Sequence, residues 1–461
     1  MLDIEIKKLI DITGGQLIAG DIKKYGSEHI SGITYDSRTT GRDLLFVPIV
    51  GEKVDAHKFI ADVLAGETVI SLTERSDIEY SGDKILIKVN SSADAVRLLT
   101  EYYRKSIRVP VIGVTGSVGK TTTREMISLA LSAGKKVYAT PGNRNSQLGV
   151  PQAVFGFKDD SDIAVMEMGI SMPGEMEKLV RMVRPDAAVI TNIGITHIEN
   201  LGSREEILRQ KMHITDLLPE GAPVFLNDDN DMLHSYKLPD RFKKVTYGLS
   251  DKCDVYAADI DGSCGCSEFN AVVNGKSIHV KLNVYGTHMI YNSLVALAVC
   301  DFYGIDLNKA AEKLSTYAGY QHRSQIFRNN SVTVIDDTYN AAPDSMRAAI
   351  DMLGAIKCSG RRIAVLGDMK ELGDITEDAH LSIGKYAADR GCVDLLISYG
   401  EYASKMNEGF GDNKSVHTEA ADELEEILFK EIKPGDLVLF KGSNSMKLFD
   451  FVDKVIKHEF M

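Results

Sequence analysis

Residues 113–123 read GVTGSVGKTTT, with glycines at 113, 116 and 119, a lysine at 120 and threonines at 121, 122 and 123. The apolar run 109–114 predicts a buried strand, and 120–133 predicts a helix whose Met126, Leu129 and Ala130 share one face. Only a glycine turn separates the two. Small residues there let backbone N–H groups converge on phosphate oxygens, and the dipole of the following helix reinforces the attraction. Lys120 would reach the β- and γ-phosphates of a bound triphosphate, and the Thr121 hydroxyl would ligate magnesium. Val114 stands where the long form of this motif has its first glycine, which leaves the compact form Gly116-Ser117-Val118-Gly119-Lys120-Thr121. Thr115 and Thr122 flank it and complete the expected nucleotide-binding turn.

Outward from the turn the alternation continues, with a strand expected at 163–168, a helix opening at Pro173, a strand at 187–193 and a helix from Ser203. This is the pattern of a parallel sheet. From 254 to 284 it changes to short alternating strands split by glycines, which predicts a β meander appended to the central domain. Strands at 332–335, 363–366, 395–398 and 437–440, with amphipathic helices between them, predict a second doubly wound domain. Before the phosphate turn, a short strand at 84–89 mixes with helices in a small α/β region carrying Asp36-Ser37-Arg38. The expected fold class is therefore α/β with three domains, 1–105, 106–318 and 319–461. Open α/β sheets bind ligands at the carboxyl ends of their strands, so the chemistry should sit between the second and third.

The chain has 461 residues, a length that suits several domains, and its 44% hydrophobic and 26% charged residues are those of an ordinary globular protein. A net charge of −13 argues against a nonspecific grip on nucleic acid, which needs a basic surface. The apolar-rich segment 289–303 is too short for a membrane span and contains Asn292, Ser293 and Asp301. The first fifteen residues carry Asp3, Glu5, Lys7, Lys8 and Asp11, and read as a short amphipathic helix and not as a signal peptide. Six cysteines, all in the second half, lack paired metal-ligand spacing; Cys264 and Cys266 read as a loop thiol pair. A cytoplasmic location and free thiols are expected.

Three further residues carry chemistry. Glu167 closes the strand after the phosphate-binding helix, so its carboxylate would meet a magnesium ion held by the triphosphate. The helix from Ser203 opens with the capping box Ser203–Glu206 and turns Lys211 toward its buried face, among Ile207, Leu208 and Ile214. A desolvated amine has a lowered pKa and can add carbon dioxide, which converts a cation into an anionic carbamate ligand. His197, after the preceding strand, would offer a neutral nitrogen to the same ion.

These motifs, with TPGNRNSQLGVP at 140–151, MEMG at 166–169, THIENLGS at 196–203, YGTHMIYNSLVA at 285–296, DDTYNAAPDSM at 336–346, GDMKELGD at 367–374 and KGSNSMK at 441–447, together resemble the Mur ligases. The resemblance runs in order over nearly the whole chain. It implies a domain gripping a uridine nucleotide, a central ATPase domain and a Rossmann-like domain that closes on both. It further implies an ATP-dependent ligase in which Ser37 and Arg38 contact UDP, and Thr140, Asn143, Asn145 and Ser146 the muramoyl part. Lys120, Thr121 and Glu167 would hold ATP and one Mg2+, and His197 with carbamylated Lys211 a second. His288 and Asn292 would approach adenine, Arg323 and Asp337 the rest of the nucleotide, and Tyr339, Asn340 and Ala341 the incoming amine. DDTYNAAPDSM and GDMKELG look most like members taking a dipeptide, which implies UDP-N-acetylmuramoyl-tripeptide and D-alanyl-D-alanine as substrates and a monomeric enzyme of peptidoglycan synthesis. The rivals are a related ligase with a different amino substrate, such as a folylpolyglutamate synthase, and a noncatalytic Mur-like subunit. Three positions depart from the family pattern, which usually has asparagine at Ser146, often glycine at His322 and often arginine at Asn444; none belongs to the phosphate or metal set.

Overall fold

A computed structural model describes residues 3–51, 54–157, 160–261, 267–329, 331–411, 414–458 and 460; Cys264 and Cys266 lie outside these. The backbone is organised around three main sheets of five, nine and six strands. In the nine-stranded sheet Val111–Thr115 lies between Ala187–Ile190 and Ile163–Glu167, parallel to both. All three strands are buried along their whole length, the condition under which parallel strands read as continuous apolar runs. Because neighbouring side chains point to opposite faces, Val111 joins the core on one side while Ile112 and Val114 join the core on the other. The helix Lys120–Leu131 covers the second face with Met126, Ile127, Ala130 and Leu131; Leu129, expected on that face, is only partly buried.

Beyond Ala187–Ile190 the sheet continues through Pro223–Asn227 and Lys243–Gly248, and then through Val255–Asp261, Ser267–Val273 and Lys276–Leu282. The expected meander is present, added at the edge of the central sheet. Tyr247 pairs in parallel with Val255, so the antiparallel strands prolong the central sheet, and Phe269, Ala271, Val280 and Leu282 enter its core.

The six-stranded sheet has the order Gln325–Arg328, Thr333–Asp336, Leu437–Lys441, Arg362–Gly367, Leu395–Tyr399, Ser415–Thr418, parallel except for its first pair. In the five-stranded sheet Ile85–Lys88 is bracketed by Gln16–Ala19 and Ile70–Thr73. The amphipathic N-terminal helix is Ile6–Thr13, stopped by Gly14 in the left-handed conformation. One apolar core runs from this region into the central sheet, through Leu99 and Tyr103 of the helix Ser92–Ser106. Buried Arg104 ties the helix end to the central layer, donating to the Val183 carbonyl at 2.6 Å.

Candidate functional site

The phosphate turn is built by close approach. Gly116 has φ of 149°, and a Cβ there would lie 1.9 Å from the Thr191 hydroxyl. That hydroxyl donates to the Val118 carbonyl at 2.6 Å, while Asn192 takes the N–H groups of Ser117 (3.0 Å) and Val118 (2.9 Å). The Gly194 N–H donates to Ser117 Oγ at 2.9 Å. The loop after Ala187–Ile190 therefore clamps the first half of the turn. The N–H groups of Lys120, Thr121 and Thr122 open the helix, where no intrahelical acceptor exists, an arrangement suited to an anion. Lys120 Nζ folds back onto the carbonyls of Gly116 (2.9 Å) and Ser117 (3.2 Å). Burial lowers its pKa, and the nearby Glu167 carboxylate opposes that shift.

Glu167 is buried at the end of its strand and is the hub of the site. Thr121 Oγ1 donates to its Oε2 at 2.8 Å, Asn145 Nδ2 to its Oε1 at 2.6 Å, and fully buried Arg124 lies 3.4 Å from Oε2. Its backbone N–H donates to Thr140 Oγ1 at 2.8 Å, which places Thr140 behind the carboxylate. The sequence reading omitted Arg124, although it follows the three threonines directly; its charge is what lets a carboxylate stay buried there.

Lys211 is fully buried in the helix Arg204–Met212, and its Nζ has no hydrogen-bond partner. Burial, and then the like charge of Lys120, push its pKa far down. The capping box is half formed. Ser203 Oγ accepts from the Glu206 N–H at 3.2 Å, but the Glu206 side chain turns to Arg209 and Gln210, whose donors outcompete the cap. His197 sits at φ 64°, in ion-pair contact through Nδ1 with Glu371 of the GDMKELGD segment, a partner the sequence did not suggest. Among the described residues no group of three or more His, Cys, Asp or Glu gathers into a ready-made metal site.

A cavity of about 960 Å³ separates this wall from the six-stranded sheet. On its far side Asp337 pairs with Lys441, Nζ to Oδ2 at 2.6 Å, and accepts the Ser324 N–H at 2.9 Å. Burial raises the Asp337 pKa, but the Lys441 ammonium outweighs it and holds the carboxyl below its usual range. Arg323 stacks 3.6 Å from the Tyr339 ring centroid with its Nε unpaired. Lys441 also donates to the Asn340 carbonyl at 3.0 Å. Burial lowers the His288 pKa despite the nearby Asp337 carboxylate. Asn292 spends its side-chain oxygen on Thr123, at 2.8 Å, and so braces the phosphate-binding helix. His322 has φ 58°, the left-handed region where glycine is at home; its Nδ1 contact with Asp336 Oδ2 at 2.7 Å holds it there.

The cavity gathers residues 117–122, Asn145, Ser146, Glu167, His197, His288, Asn292, Arg323, Asp337, Tyr339, Asn340 and Ala341 on its surface. Thr115, Gly116, Thr140 and Lys211 stand in the layer beneath, and Asn143 is exposed outside it. Ser37 and Arg38 are apart from it. Arg38 pairs with Asp36, and Asp36 and Thr39 line a separate cavity of about 560 Å³ shared with Arg144, Gln152 and Phe155.

A glycine turn, a helix N-terminus and a buried carboxylate facing a second, mostly parallel sheet across a cleft define a nucleotide-dependent α/β enzyme. The chain matches the Mur ligase middle domain over residues 114–300 and the Mur ligase glutamate ligase domain over residues 322–444. It is 33% identical to the UDP-N-acetylmuramoyl-tripeptide–D-alanyl-D-alanine ligase of Bacillus subtilis, over 99% of each chain. Crystal structure I of MurF from Acinetobacter baumannii superposes with a TM-score of 0.88 at 27% identity, covering 99% of each chain. The MurF ligase from Thermotoga maritima in complex with ADP gives a TM-score of 0.82 at 26% identity, over 92% of this chain and 97% of that one. The chain belongs to the Mur ligase family, and is an ATP-dependent ligase that forms amide bonds.

Proposed function

We propose that the chain joins D-alanyl-D-alanine to the terminal carboxylate of UDP-N-acetylmuramoyl-tripeptide, using ATP and Mg2+ and completing a pentapeptide precursor of peptidoglycan. One observation carries the reading: a single cavity faces the phosphate turn on one wall and Arg323, Asp337 and Tyr339–Ala341 on the other. A carboxylate is a poor electrophile. Its oxygen attacks the γ-phosphorus, ADP leaves, and the acyl phosphate is then attacked by the dipeptide amine, which loses a proton as inorganic phosphate departs. Lys120 and the N–H groups of 120–122 hold the phosphates and neutralise charge on the moving phosphoryl group. Water would hydrolyse an acyl phosphate, so closure of the two walls protects it.

The Thr121 hydroxyl and the Glu167 carboxylate are hard oxygen donors already in contact, which suits Mg2+, an ion that keeps most of its ligands as water and phosphate oxygens. A bound ion there supplies Lewis-acid stabilisation of phosphoryl charge. The unpartnered Lys211 amine supports carbamylation, which would make it, with His197, the holder of a second ion. Residues 1–105 would grip the uridine nucleotide through Ser37 and Arg38, 106–318 would bind ATP, and 319–461 the dipeptide. Asn143, Asn145, Ser146 and Thr140 would serve the muramoyl part, and His288, Asn292, Arg323 and Asp337 the nucleotide. It would act as a monomer, in the cytoplasm where ATP is available. Phosphate release assays test the reading: release should require both the UDP-tripeptide and the dipeptide. Release driven instead by a single free amino acid would assign the chain to another branch of the family.

A further inference from the structure

We propose that Arg347 anchors the carboxylate of the incoming dipeptide and so selects a substrate that ends in a free acid; this rests on the proposed function. Five cationic side chains reach the large cavity: Lys120, Arg204, Arg323, Arg347 and Lys441. Three are committed elsewhere. Lys120 belongs to the phosphate turn, Arg204 is held by Asp231 and the Ile193 carbonyl, and Lys441 is paired with Asp337. Arg323 is stacked on Tyr339 with its Nε unpaired, and its proposed role is with the nucleotide. Arg347 is held loosely. Its guanidinium has only a 3.4 Å contact with Asp344, a 3.5 Å contact with Ser382 and the Tyr386 ring at 5.9 Å, and its side chain is 40% exposed. A planar fork of donors without a matched acceptor is what a carboxylate binds.

Its position fits the length of the ligand. The helix Pro343–Ala355 begins against the phosphate turn: a Cβ on Gly194 would lie 2.7 Å from Asp344 Oδ2, and the Gly194 N–H is bonded to Ser117 Oγ. Asp344 and Arg347, three residues apart, share one helix face, and the guanidinium lies 3.4 Å from the Asp344 carboxylate that borders the phosphate turn. An extended dipeptide spans about 7 Å. With its amine at the acyl phosphate, its carboxylate comes within reach of the Arg347 side chain. Ala342, Ala348, Ala349 and Ala379 line the same cavity and present methyl groups to it.

The test compares D-alanyl-D-alanine with its C-terminal amide in full-length wild type, Arg347→Lys and Arg347→Ala, measuring ADP release at saturating UDP-tripeptide, with either the dipeptide or ATP varied and the other saturating. Wild type should prefer the acid, through KM for the dipeptide, by about 10- to 100-fold, the worth of charge-assisted hydrogen bonds. Arg347→Ala should raise the KM of the acid by the same factor, leave KM for ATP unchanged and bring the acid-to-amide preference close to unity, with Arg347→Lys intermediate. An acid-to-amide preference unchanged in Arg347→Ala, or a KM for ATP that rises in step, overturns the assignment while leaving the ligase reading intact. Wild type that releases no ADP in response to either dipeptide overturns both.

Discussion

A buried lysine without a partner is costly unless it is neutral or chemically changed, and Lys211 is the clearest case here. If its carbamate contributes to catalysis, Lys211→Ala should lower kcat by roughly 100-fold or more, the scale of one lost charge-stabilising group. Short carboxylic acids filling the vacated space should restore part of it; activity unaffected by the substitution would refute the carbamate. Asp337 makes a different prediction. Its folded pKa lies below the unfolded value of about 3.9, so the Asp337–Lys441 pair contributes fully above that pH and is lost as pH falls through the lower folded value. Asp337→Asn leaves Lys441, 3% exposed, without its counter-charge and should cost about 3 kcal/mol in urea unfolding at neutral pH. The gap to wild type should narrow as the buffer is taken toward strong acid. A gap independent of pH would mean that shape, and not charge, holds these strands.

At the scale of elements, periodicity located the strands and the phosphate-binding helix that carry the site because both faces of the central strands are buried and that helix shows one apolar stripe. The strand 163–167, the helix from Lys120 and the four central strands of the six-stranded sheet were all legible this way. Short or half-exposed strands were not. Val137–Ala139 and Ser415–Thr418 are three and four residues long and only partly buried, so no run of apolar residues marks them. The helix presumed to open at Pro173 begins at Glu175, because Gly174 takes the left-handed conformation that precedes it. Capping is the testable part. Ser203 alone caps the helix bearing Lys211, so Ser203→Ala should cost about 1 kcal/mol of unfolding free energy and Glu206→Ala less, since Glu206 does not close the box. Equal costs would show that the box forms in solution.

Across the whole molecule, what the sequence could not reveal is what lies far apart along the chain. Glu371 on His197, Lys441 on Asp337 and Asn192 on the phosphate turn join segments many residues apart, and no local pattern encodes such pairs. The resemblance supplied the roll of site residues; the structure supplies their partners, with Arg124 and Glu371 as the additions. It also separates Ser37 and Arg38 from the main cavity, which suits a long substrate whose nucleotide end is held far from its reacting carboxylate. The central claim is that ATP activates that carboxylate by capturing it as an acyl phosphate, and the fate of one oxygen decides it. If the terminal carboxylate of the UDP-tripeptide is labelled with heavy oxygen and the reaction is run to completion with ATP and D-alanyl-D-alanine, mass spectrometry should find one labelled oxygen in each inorganic phosphate released. Phosphate that emerges unlabelled, with peptide product still formed, would contradict the account.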